Sequence, residues 1–126
     1  HSIGCQAIMR FVERTPQDQT AGGAVFVAPW FTLMGLDNEE DKKIAEPWLT
    51  THIDDIAVQE RLPILSCIFS DDDYCVPPEN KSMFEDRLQA YTIALHGKKH
   101  FTEEDGITEL PEALDEIRQM SDPSLS

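Results

Sequence analysis

Basic residues are scarce in this chain of 126 residues: 10 Lys and Arg stand against 24 Asp and Glu, a formal charge of −14. A surface of that sign repels phosphate backbones and anionic lipid headgroups, so neither nucleic acid nor a membrane is an expected partner. Cysteine is sparse too. Cys5, Cys67 and Cys75 form an odd set with no C-x-x-C pair. Neither a disulfide framework nor a zinc ribbon is expected, and a reducing cytoplasm is the expected home. No apolar run approaches 18 residues, so no segment reads as a membrane-spanning helix. Internal repeats and low-complexity stretches are absent as well. What is present, 40% hydrophobic and 27% charged residues, suits one globular domain covering residues 1–126. The acidic excess gathers at Asp37 to Asp41, Asp54-Asp55, Asp71 to Asp73 and Glu103 to Asp105, which read as solvated loops and helix starts.

The apolar pattern alternates between two periods. Residues 3 to 14 read as a helix with Ile3, Ala7, Ile8, Phe11 and Val12 near one face, stopped by Thr15-Pro16. Gly22-Gly23 then opens the short continuous run Ala24 to Ala28, closed by Pro29, which suits a strand buried on both faces. An irregular excursion follows over residues 30 to 60. It is expected to hold a short helix from Asp37 to about Ala45, ended by Glu46-Pro47, and a helical turn over Ile53 to Glu60. Leu62 to Phe69 is a second strand, Glu79 to Leu88 a helix with Met83, Phe84 and Leu88 inward, and Tyr91 to Leu95 a third strand. Pro111 begins a last helix whose stripe is Leu114, Ile117 and Met120, and Ser121 to Ser126 read as a frayed tail. Strands alternating with helices predict an α/β fold with a parallel sheet.

Three residues then fall at places where such sheets build sites. Ser2 precedes the first helix, Asp73 follows the second strand, and His100 follows the third. Serine, acid and histidine in that order form the chain order of a hydrolytic triad, in which a base must activate a poor hydroxyl nucleophile. Gly4 takes the second glycine position of a G-x-S-x-G turn, and the first would lie before His1. Each residue has a plainer reading. Ser2 is also a good helix N-cap, and Asp71 to Asp73 are also an acidic turn without calcium-loop spacing. Asp71 and Asp72 rival Asp73 for the acid, and His96 rivals His100 for the base. A zinc pair from His96 and His100 would require a helix that Gly97 opposes, so no metal and no cofactor is expected.

The stretch His1-Ser2-Ile3-Gly4-Cys5, followed by Ala7 to Phe11, resembles the nucleophile turn of the small α/β-hydrolase serine hydrolases typified by retinoblastoma-binding protein nine and its bacterial relatives. Val25 to Pro29 is similar to that family's next strand. Ser70 to Pro77 is similar to its Ser-x-Asp-Asp-x-x-Val-Pro, and His100-Phe101 to the end of its Gly-His-Phe. Lys98-Lys99 depart from the glycine before the histidine. The resemblance implies the C-terminal portion of an α/β-hydrolase, three-layered with a mainly parallel sheet, its N-terminal strands absent. It implies cleavage of a small ester, thioester or amide by Ser2, with His100 as base, Asp73 orienting it, and the Ile3 N–H as one oxyanion donor. Trp30, Phe31, Met34 and Trp48 are candidate pocket residues. Without a second oxyanion donor, hydrolysis by these residues alone is expected to be weak, because one such donor contributes about 100- to 1000-fold. The alternative is an inactive α/β module that binds a protein partner through its open sheet edge, or pairs there with the missing N-terminal part.

Overall fold

A computed structural model of the chain describes residues 1–122 and Ser124. Three strands, β1 (Ala24–Val27), β2 (Leu65–Ser70) and β3 (Tyr91–Leu95), form a parallel sheet in the order β1-β2-β3. β2 lies in the middle because its run of apolar and small residues is buried almost end to end. Five helices connect and flank the strands: α1 (Ile3–Val12), α2 (Glu39–Thr50), α3 (Asp55–Arg61), α4 (Glu79–Leu88) and α5 (Pro111–Ser121). The parallel α/β fold expected from the sequence is the fold observed.

The strand period assigns the helices to two layers. Successive side chains point to opposite faces, so Phe26 and, in register, Cys67 and Phe69 share one face, while Val25, Val27, Ile68 and Ile93 share the other. Phe84 of α4 packs edge-on to Phe26 and tilted against Phe69, so α4 covers the first face. Leu110, Ala113 and Met120 lie beside Val27 and the start of β1, so α5 covers the second. α3 is tied to α4 by the two-pronged pair of Arg87 with Asp55, at 2.8 and 2.9 Å, and the Arg87 guanidinium also sits 3.7 Å over the Phe31 ring. The second part of this arrangement is a cation–π contact that fixes the start of the excursion.

Four details differ from the sequence pattern. α2 passes through Pro47 and continues to Thr50 instead of ending there. Arg10 explains part of this: its guanidinium donates to the carbonyls of Trp48 and Thr51, capping the last turn from outside the helix. α1 ends at Val12, and its buried face is Cys5, Gln6, Met9 and Val12; Ile3, Ile8 and Phe11 are exposed. α5 buries Glu116 and packs through Leu110 and Ala113, while Leu114 and Ile117 face solvent. Ser121, expected to start the tail, closes α5; residues 123, 125 and 126 of that tail lie outside the described residues.

Candidate active site

The backbone at Ser2 already distinguishes it from an ordinary helix start. It adopts φ 53°, ψ −122°, a conformation that costs a side-chain-bearing residue energy and that recurs at strained strand-to-helix turns. Its N–H donates to the Val27 carbonyl at 2.8 Å, pinning the turn to the end of β1. The Ser2 hydroxyl makes no capping bond to α1, which removes the N-cap reading. Instead it lies 3.1 Å from His100 Nε2 and accepts from Trp30 Nε1 at 3.2 Å. The amide of Ile3 opens the helix, where an N–H has no intrahelical acceptor and is free for a ligand. At Gly4 an added Cβ would meet nothing within 4 Å among the described residues beyond its chain neighbours and the backbone of α1.

Asp73 and His100 come from the loops after β2 and β3. Asp73 Oδ1 accepts from the amides of Cys75 at 2.8 Å and Val76 at 3.1 Å, while Oδ2 faces His100 Nδ1 at 3.0 Å. The Asp73 side chain is 3% exposed and that of His100 12%. With Nδ1 held as the donor to this carboxylate, Nε2 keeps a lone pair directed at Ser2. The three residues separated in sequence therefore form one continuous chain of hydrogen bonds.

The rivals have other work. Asp71 accepts from the Gly97 amide at 2.9 Å and from His96 Nδ1 at 2.7 Å. Asp72 accepts from the Lys99 amide at 2.8 Å and from the Ser70 hydroxyl at 2.8 Å. Ser70 in turn accepts from the Lys98 amide, and Asp105 accepts from the His100 amide at 3.0 Å. The acidic turn thus holds the backbone of the histidine loop, including Lys99 and Phe101 at positive φ. These contacts leave a mark on acidity. The Gly97 amide and then His96 hold Asp71 below the usual carboxylate range, and Ser70 and the Lys99 amide do the same for Asp72. Burial pushes Asp105 up, but Thr102, Tyr74 and the His100 amide together carry it below its ordinary value. His96 is 96% exposed and turned to Asp71, whose hydrogen bond raises its pKa; it does not converge with His100.

A cavity of about 330 Å³ opens beside Ser2, lined mainly by Trp30, Leu33, Met34, Leu36, Ile44 and Cys75, with His100 also in its wall. Trp30 and Met34 are therefore in its wall. Phe31 and Trp48 are not: Phe31 stacks on Phe84 at 4.3 Å, and Trp48 lies under Arg10. Gly35 also lines the cavity at φ 74°, where a Cβ would approach the Tyr74 carbonyl to 2.9 Å. Two contributors carry no sequence signal as site residues. Gln6 donates to the Trp30 carbonyl at 2.7 Å, and Asn80, fully buried, accepts from the Phe31 and Thr32 amides, so the loop carrying Trp30 is clamped from both sides. The indole of Trp30, expected only as pocket wall, donates to the Ser2 hydroxyl.

No curated protein matches the chain. Among solved structures, the ydeN gene product from B. subtilis matches with a TM-score of 0.84 at 24% identity, over 96% of this chain and 62% of that one. That likeness concerns the fold, and this chain spans less than two thirds of the length of that protein. A family model described as serine hydrolase matches residues 1–119. With nearly its whole length matched, this chain belongs to the serine hydrolase family.

Proposed function

We propose that the chain hydrolyses a small ester, thioester or amide through an acyl-enzyme formed on Ser2. What supports the reading is the unbroken contact from Ser2 Oγ to His100 Nε2 at 3.1 Å and from His100 Nδ1 to Asp73 at 3.0 Å. His100 takes the serine proton as Oγ attacks the carbonyl carbon, then gives it to the leaving group. Asp73 keeps the imidazole in the productive tautomer and balances its positive charge; its own lone pairs are already engaged by two amides. The Ile3 N–H stabilises the oxyanion. A second water-derived cycle on the same residues releases the acid.

Trp30 serves as a positioning residue. The indole N–H fills one acceptor site of Oγ, so the hydroxyl hydrogen is left to point at His100. The aliphatic lining favours an apolar acyl group, and Asp41 in the same wall opposes an anionic one. The test is labelling with a fluorophosphonate probe. Covalent modification of Ser2 that disappears in Ser2→Ala and His100→Ala is the expected result. A well-folded protein that takes no label favours the alternative, a module that binds a partner without turnover.

A further inference from the structure

We infer that Asp73, Cys75 and His100 form an inhibitory site for a soft divalent cation, zinc or cadmium, which silences Ser2 by holding His100 in the wrong tautomer. The inhibition rests on the triad reading above; the binding does not. One ligand atom from each of the three residues lies within 4.8 Å of the other two, the one such cluster of His, Cys, Asp or Glu among the described residues. Asp73 Oδ2 and His100 Nδ1 are already 3.0 Å apart. Two ligands on one tetrahedral zinc, with bonds of about 2.0–2.2 Å, stand roughly 3.3 Å apart. A cation can therefore replace the proton between them with little movement, and only Cys75, whose sulfur lies within 4.8 Å of both, has to close to roughly 3.6 Å.

Access and charge favour the same site. Cys75 and His100 both line the cavity beside Ser2, so a hydrated ion can reach them and keep a water as fourth ligand. Cys5 and Cys67 are fully buried and offer no competing thiol. The Asp73 carboxylate and the Cys75 thiolate neutralise the two positive charges. The imidazole stays neutral, and the thiol proton leaves to the buffer, one proton released per ion bound. Thiolate and imidazole select zinc over magnesium and calcium, which prefer all-oxygen ligand sets.

Coordination through Nδ1 moves the remaining imidazole proton to Nε2, the atom 3.1 Å from Ser2 Oγ. An Nε2 that carries a proton has no lone pair for the serine proton, so attack stops although no residue has left its place. Inhibition is then reversible.

The test has two readouts on the intact chain. Cadmium titrated into metal-free protein should give an ultraviolet thiolate-to-metal band saturating at one equivalent, abolished in Cys75→Ser and displaced by zinc. In parallel, zinc should slow fluorophosphonate labelling at least about tenfold in the wild type. In Cys75→Ser, compared with its own metal-free rate, the slowing should largely vanish. EDTA should restore the wild-type rate, and calcium or magnesium should change nothing. Circular dichroism and melting of Cys75→Ser, with Cys75→Ala as a second variant, report whether the fold is retained. Absence of the band in the wild type, or its persistence in both variants, overturns the site. A band with undiminished labelling overturns the tautomer coupling. A band in a protein that never labels leaves the metal site standing and removes the hydrolase reading.

Discussion

At the carboxyl ends of β2 and β3 polar groups are paired, whereas along the outward sides of α1 and α5 apolar side chains stand in solvent. Ser70, Asp71, Asp72, Asp73 and Asp105 each accept from a named amide, ring or side chain of the loops around His100. Phe11, by contrast, is 70% exposed and Ile117 50%, with Ile8 and Leu114 close behind. β1, which runs between these helices, pairs with β2 on one side only. The contrast separates two requirements. The proposed proton relay needs directional contacts within about 3 Å, and Ser2, His100 and Asp73 supply those to one another across short loops. A sheet edge and an apolar helix face need area, and this stretch of chain does not cover its own.

The sharpest way to break the comparison is at the relay. Ser2→Ala and His100→Ala should reduce fluorophosphonate labelling to background, and Asp73→Asn should slow ester turnover by about 10⁴-fold, as expected when the tautomer is lost. Retained labelling in Ser2→Ala would show that the reacting group lies elsewhere. A smaller effect is expected from Trp30→Phe, which keeps the ring and removes the N–H. One hydrogen bond of about 1 kcal/mol predicts labelling slowed roughly fivefold with kcat affected more than KM. Partial rescue by Trp30→His, which restores an N–H, distinguishes positioning from packing.

Acid titration probes the scaffold beneath the relay. Asp71, Asp72 and Asp105 have folded pKa values below their ordinary ones. Their contribution is fully present above the ordinary carboxylate pKa and is lost as pH falls through the depressed values. Melting temperature should therefore decline on acidification, and the acid limb should be shallower in Asp72→Ala, measured by thermal melts across pH. The smallest effect belongs to the open faces. Phe11→Ser and Ile117→Ser should each change stability by no more than about 0.5 kcal/mol in denaturant titration, the usual range for surface substitutions. A loss of about 2 kcal/mol or more would mean that something covers these faces in solution.

Much of the fold is legible in local pattern. The apolar runs at 24–28, 62–69 and 91–95 are strands within one to three residues, and Glu79–Leu88 is a helix as read. The order of Ser2, Asp73 and His100 is legible because each sits at a strand or helix boundary. The choice of Asp73 over Asp71 and Asp72 rests in the sequence on the family resemblance alone, since three adjacent carboxylates are chemically equal until the turn aims them. The rotation of α1 is not legible. Its apolar residues run nearly all round, and the turn at Ser2 decides that Cys5 and Met9, rather than Ile8 and Phe11, point inward. Pro47 reads as a helix stop, and the guanidinium of Arg10, distant in sequence, is part of how the last turn persists past it.

The sequence by itself determined the alternation of strands and helices, the negative surface and which residue types stand at the strand ends, because those depend on neighbours a few positions away. Tertiary structure alone decided that Trp30 would touch Ser2, that Asp71 and Asp72 would grip the backbone of the histidine loop, and that Phe31 and Trp48 would leave the cavity. Each of those contacts joins residues about 25 to 50 positions apart. Hydrogen-bond and packing distances are fixed only once the sheet has set the loops side by side.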